Sequence, residues 1–145
     1  MIRIKPFQIA AVVLTLAALH AQPEPRDRRV VFSTFHGGDR NDDARAVAVD
    51  AAGNIYVTGE TESRDLKADP VGGKPLTAAV FKAYLTKYDP SGNQVAWRKL
   101  IGGSSNTVTH AIALDAEGNV YVAGTSGARD LPMVNAVQNQ QTGLN

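Results

Sequence analysis

The chain contains no cysteine, which excludes disulfide frameworks, thiolate metal sites and cysteine nucleophiles. Charge of one sign is also missing: the formal net charge is only +1, so no strong field directs the chain to nucleic acid or an anionic membrane. No apolar run reaches the roughly 20 residues that a membrane-spanning helix needs. The longest, residues 7–19, is broken only by Gln8 and Thr15. Familiar catalytic patterns are absent too. Gly37-Gly38 and Gly102-Gly103 are not followed by Lys-Ser/Thr, so they read as tight turns rather than phosphate cradles. Ser104 and Ser105 lie outside any G-x-S-x-G, and no H-E-x-x-H occurs.

What the chain does have begins with an address. Arg3 and Lys5 precede the apolar run, and Ala21 offers a small residue for cleavage. This is the plan of a secretory signal peptide over residues 1–21. Removing it takes away two cations and no acid, which moves the formal charge from +1 to −1. The expected location is secreted, periplasmic or cell-surface, with no transmembrane anchor in the mature chain. Residues 22–29, with Pro23 and Pro25 among charges, read as a polar extended linker.

The main signal is a repeat. Shifting the chain by 65 residues lays 30–66 over 95–131 without a gap, with 16 identities in 37 positions. ARAVAVDAAGNIYVTG falls on THAIALDAEGNVYVAG, and Arg64-Asp65-Leu66 falls on Arg129-Asp130-Leu131. A period of this length indicates an array or a propeller. Within the first copy, Ala46/Ala48 and Val47/Val49 alternate on opposite faces of a strand. Both faces are apolar, so the sheet should be covered on both sides. Asp50-Ala51-Ala52-Gly53-Asn54 is a turn in which Asp caps and Gly takes positive φ. Asp89-Pro90-Ser91-Gly92-Asn93 is a third turn of this kind, beside the second copy at 115–119. Four strands are expected per period, near 44–50, 54–61, 81–88 and 94–101, joined inside the unit by a long loop over 62–79. Four antiparallel strands per repeat make a β-propeller blade.

These runs, STFHGG, AVAVDAAGNIYVTG, YLTKYDPSGN and AIALDAEGNVYVAG, resemble the SBBP family of bacterial β-propeller repeats and, more distantly, NHL-type repeats. The resemblance covers roughly residues 30–131. It implies an all-β fold of four-stranded antiparallel blades in exported proteins, and it implies no catalytic activity. The propeller would be incomplete: one whole blade over 44–101, a lone fourth strand of a preceding blade at 30–36, and the first hairpin of a following blade at 108–125. Closed propellers have typically 4–8 blades. Further blades or oligomer partners are therefore expected to close a ring, and the polar tail 132–145 falls where the next loop would start.

Few residues stand out as chemistry. Asp39, Asn41 and Asp43 have a D-x-N-x-D spacing that can offer oxygen ligands to calcium, although Ala44 stands where such a loop needs glycine. His36 and His110 have no metal spacing and no catalytic partner in sequence. Tyr56/Tyr121 and Phe32/Trp97 repeat at fixed positions, which points to packing before sugar stacking. The repeated Arg-Asp-Leu reads as a loop anchor formed by a local Arg–Asp pair. Three functions stay open at this level: a non-catalytic module that binds a protein or carbohydrate, part of a propeller hydrolase or lyase with its catalytic residues in other blades, and a calcium-dependent adhesion module.

Overall fold

The structure, a computed structural model, describes residues 30, 32–71, 80–138 and 140. The expected signal peptide (1–21), the linker (22–29), part of the long loop and the end of the tail lie outside the described residues. All elements below belong to the unit Phe32–Asn145.

Among the described residues seven strands form: β1 (Asp42–Val49), β2 (Ile55–Thr61), β3 (Asp69–Pro70), β4 (Lys82–Tyr88), β5 (Val95–Ile101), β6 (Thr107–Leu114) and β7 (Val120–Ser126). The first sheet has the order β1-β2-β4-β5-β3. Its β1, β2, β4 and β5 are antiparallel neighbours, which is the four-stranded blade read from the repeat. Strand β3 is an addition inside the long loop, pairing parallel to β5 through Asp69↔Lys99 and Pro70↔Leu100. The second sheet is the β6–β7 hairpin.

The turns follow their chemistry. Gly53, Gly92 and Gly118 sit at φ +86°, +73° and +84°, where a side chain would be strained. Each turn closes with a bond from the Gly amide to the Asp carbonyl three residues before it. The Asp side chains finish the turn. Asp50 Oδ1 accepts the amides of Ala52 and Asn54 at 3.0 and 2.9 Å, and its Oδ2 accepts Asn54 Nδ2 at 2.7 Å and the Tyr56 hydroxyl at 3.2 Å. Asp115 repeats this with Asn119 and Tyr121. These bonds hold both carboxyls below the usual range, with the Asn side chain the largest cause. The repeated tyrosine is therefore part of the turn as well as of the packing.

The two sheets stack face to face. Register places Ala46, Ala48, Tyr56 and Thr58 on one face, and β6 packs on it. Thr58 Oγ1 donates to the Tyr84 carbonyl at 2.6 Å and meets Thr109 Oγ1 at 2.8 Å, and Thr109 also donates to the Gly59 carbonyl. At the strand entrances, Asn106 Oδ1 accepts the Phe81 amide, while the Thr107 amide donates to the Phe81 carbonyl. The core is small and centred on β2 and β4, with Tyr56, Ala83, Tyr84, Leu85 and Tyr88 buried.

Two expectations are adjusted. The Val47/Val49 face of β1 is not covered among the described residues: these side chains are 64% and 60% exposed. Residues 32–38 form no strand. They join no ladder, and side chains hold them instead: the His36 ring packs 4.4 Å from the Tyr84 ring of β4, and the Gly38 amide donates to the Asp42 carboxylate at the start of β1.

Candidate functional site

The ends of the blades opposite the Asp turns carry most of the repeated polar chemistry. Here the chain enters β1 or β6 through a Gly-Gly loop and leaves β2 or β7 through Arg-Asp-Leu. The two motifs are one device. Asp65 Oδ1 accepts the Asp39 amide at 2.8 Å, and Asp130 Oδ1 accepts the Ser104 amide at 2.7 Å, one repeat later. A Cβ on Gly38 would overlap the Asp65 carboxylate, and one on Gly103 would overlap that of Asp130. The second glycine is required so that the aspartate can reach the loop backbone. Asp of the repeated triplet thus anchors the neighbouring loop, where a local pair with its own Arg was expected.

Each entering strand also has a bulge that the sequence reading missed. Pairing slips between Ala44 and Ala46 in β1 and between Thr109 and Ala111 in β6. The bulged residues are Arg45 and His110, which occupy the same repeat position. Arg45 makes a bidentate ion pair with Glu60 across the strand, Nε lying 3.1 and 3.0 Å from the two carboxylate oxygens. Its Nη2 also bonds Glu60 and lies 3.6 Å from Asp43. In the second copy the pair becomes His110 Nε2 with Thr125 Oγ1 at 3.3 Å. The bulges push the Asp43 and Val108 carbonyls against Gly59 and Gly124, where a Cβ would overlap them. An internal strand glycine at the same place in both copies was the available signal.

The D-x-N-x-D residues go to separate partners. Asp39 Oδ1 accepts the Arg64 amide at 3.0 Å, Asn41 Nδ2 donates to Glu62 at 3.1 Å, and Asp43 faces Arg45. Among the described residues, no group of three or more His, Asp or Glu is arranged to hold a metal ion.

His36 lies in a half-buried polar cluster beside this end. Its Nδ1 bonds the Tyr88 hydroxyl, and Nε2 lies 3.4 Å from Thr86 Oγ1, which in turn accepts Arg98 Nε at 3.1 Å. Burial, helped by Arg98 and opposed by Asp42, pushes the imidazole down to about 4. Burial pushes Asp42 upward, but bonds from Thr61, the Gly38 amide and Ser63 outweigh it and hold its carboxyl low. Burial raises the Tyr84 phenol. Both His36 nitrogens are engaged, so the cluster fixes the entering segment and offers no free base.

A last feature lies where β6, β7 and the segment after them meet Ala83 of β4 and Ile101 of β5. An open cavity of about 360 Å³ is lined by Ala83, Ile101, Val122, Gly124, Leu131 and Met133 among others. It is predominantly apolar, and β7 has a ladder on one edge only among the described residues.

Comparison with known proteins agrees with the geometry. No curated protein matches the chain. A family model described as an SBBP beta-propeller repeat matches twice, over residues 33–67 and 96–132. Each match runs from the segment before a Gly-Gly loop to the Arg-Asp-Leu anchor. With two such units in one register, this chain belongs to the SBBP β-propeller repeat family.

Proposed function

We propose that this chain is a non-catalytic propeller module of an exported protein, serving to bind a protein or carbohydrate or to scaffold other blades. One observation carries the reading. The residues the two repeats share build the frame: Asp50/Asp115, Gly59/Gly124, Asp65/Asp130 and Tyr56/Tyr121. The bulged residue and its cross-strand partner differ: Arg45 with Glu60 in one copy, His110 with Thr125 in the next. A fixed frame that presents different side chains at one geometric position is how binding surfaces are varied on rigid scaffolds.

The module works beside further blades. Val47, Val49 and Tyr121 are 64%, 60% and 58% exposed, and their repeat positions suit face-to-face packing. The apolar run 7–19 behind Arg3 and Lys5 supports export.

The test is the intact mass and location of the native polypeptide, together with an activity screen of the purified protein. The reading expects an exported polypeptide with no hydrolase or lyase turnover. Turnover that disappears with Arg45→Ala or Glu60→Ala overturns it, as does retention of the full chain in the cytoplasm.

A further inference from the structure

Two buried polar atoms of the first blade have no hydrogen-bond partner: Asp42 Oδ1 and the Tyr84 hydroxyl. Tyr84 is fully buried, so its hydroxyl has no bulk water to turn to. The register brings both residues to one face of the sheet. Asp42 stands opposite Thr61, Ala44 opposite Gly59, and Gly59 opposite Tyr84. Because Gly59 has no side chain, the Tyr84 ring lies across it towards β1, its hydroxyl 3.0 Å from where a Cβ would stand. The Asp43 carbonyl meets the same point from β1. The His36 ring packs 4.4 Å from Tyr84, and the Asp42 charge acts on that ring, so the segment before β1 roofs this space.

The other charges around the space are already answered. Asp43 and Glu60 face Arg45. Asp42 Oδ2 accepts the Gly38 amide at 2.8 Å and the Ser63 hydroxyl at 2.7 Å. The Thr61 hydroxyl favours the same carboxylate from longer range and accepts the Ser63 amide at 2.9 Å. What is left is one carboxylate oxygen and one phenol, whose proton burial holds in place. A calcium ion takes about six or more oxygen ligands, and among the described residues no three acidic or histidine side chains are gathered for one. A buried water needs only about two to four polar partners. In the second repeat Thr107 replaces Asp42 and meets Ser126, the counterpart of Thr61, directly at 2.8 Å. The need for a third party is therefore confined to the first repeat.

We propose that one internal water occupies this space, donating to Asp42 Oδ1 and accepting the proton of the Tyr84 hydroxyl. It ties the start of β1 to β4 across Gly59, where no side chain is available to do so. Left dry, both atoms would carry the desolvation penalty of an unmade bond. Beneath His36 the water is long-lived, because it leaves only when the segment 32–38 moves. The site is internal and takes no part in the surface at Arg45 and His110, so its failure leaves the reading of that surface standing.

Oxygen-17 relaxation dispersion of the solvent counts waters held longer than the protein tumbles. It is measured on the intact mature protein and on Tyr84→Phe, beside urea unfolding of both. The variant should hold one long-lived water fewer, and its folding constant should fall about fivefold. In a dry site the same change only removes an orphaned group. An unchanged water count, or a variant as stable as the parent or more so, therefore overturns the proposal. A high-resolution crystal structure of the parent needs no variant. Density within hydrogen-bond distance of both atoms is expected there, and an empty gap or a direct bond between Asp42 and Tyr84 overturns the proposal. Calcium chloride titrated into the parent should leave its stability unchanged. A rise that Tyr84→Phe abolishes would place a cation in the site and overturn the assignment of water.

Discussion

Replacing Gly59 by alanine tests whether the bulge in β1 is a fixed part of the repeat. A methyl group in an exposed, unobstructed strand costs nothing, and removing a glycine restrains the unfolded chain by about 0.4–1 kcal/mol in the protein's favour. Gly59 is not at positive φ, so alanine meets no backbone strain there. The sign is therefore decided by space alone. The added Cβ would overlap the Asp43 carbonyl oxygen, lie 2.9 Å from the Asp43 carbonyl carbon and lie 3.0 Å from the Tyr84 hydroxyl. Two of these obstacles are backbone, and the third belongs to a fully buried ring, so no flexible side chain can yield. Either the bulge unwinds or β1 shifts away from β2. Overpacking of this kind costs about 1–3 kcal/mol, and the rigid obstacles place Gly59→Ala near 3 kcal/mol. Gly124→Ala meets the Val108 carbonyl and Thr109 Cα in the same way, but among the described residues β7 is paired on one edge only and can relax, so about 1–2 kcal/mol is expected. Urea unfolding followed by Trp97 fluorescence measures both. At a slope of about 1.5 kcal/mol per molar, the midpoint for Gly59→Ala falls by about 2 M. A variant as stable as the parent, or more stable, would refute the bulge as the reason for this glycine.

Other outcomes follow from the same packing. Thr58→Val removes bonds to the Tyr84 carbonyl and Thr109 from a fully buried site, so a loss of about 1–2 kcal/mol is expected in the same assay. Tyr56→Phe loses the hydroxyl bond to Asp50 inside the fold and should cost about 1 kcal/mol, while Tyr121→Phe, at the exposed copy of the position, should cost less. Asp65→Ala frees the Asp39 amide, so hydrogen exchange at residue 39 should quicken while Asp130→Ala leaves it unchanged. His36 is held at about 4 against an ordinary 6.5, so the unfolded chain takes up the proton first as pH falls. The stability it contributes is complete above 6.5 and is lost on acidification towards 4. The full linkage is about 3 kcal/mol, reduced to about 2 by partial exposure, and His36→Gln should flatten that part of the pH–stability curve.

The fold was legible because its signals are local. A turn announced by Asp, Gly and Asn at fixed offsets needs only its own residues, and Asp50, Asp89 and Asp115 each complete their turn within a few positions. The blade follows from counting the strands between such turns. Partners that are distant in sequence were harder to see. Asp65 reaches the loop at Asp39, 26 residues away, and nothing in Arg-Asp-Leu names that target. His36 finds Tyr88 across 52 residues, which is why a segment resembling a strand is held by side chains instead of a ladder. Strand β3, with only two residues, carries too little pattern to be read.

The bulges lie between these cases, and they show what a second copy adds. A single strand glycine has many explanations: a turn, a close ligand or chance. Two at equivalent positions, each facing a slipped pairing, leave the approach of a neighbouring carbonyl as the common cause. The positions that differ then gain meaning from the frame. Arg45 and His110 differ in charge and shape, yet each leaves its strand at the bulge and meets the residue opposite, Glu60 or Thr125. The pairs differ, an ion pair in one copy and a histidine–hydroxyl contact in the other, while the glycine beneath them is the same. Change over an unchanged backbone separates what the blade needs in order to fold from the positions that can vary on it.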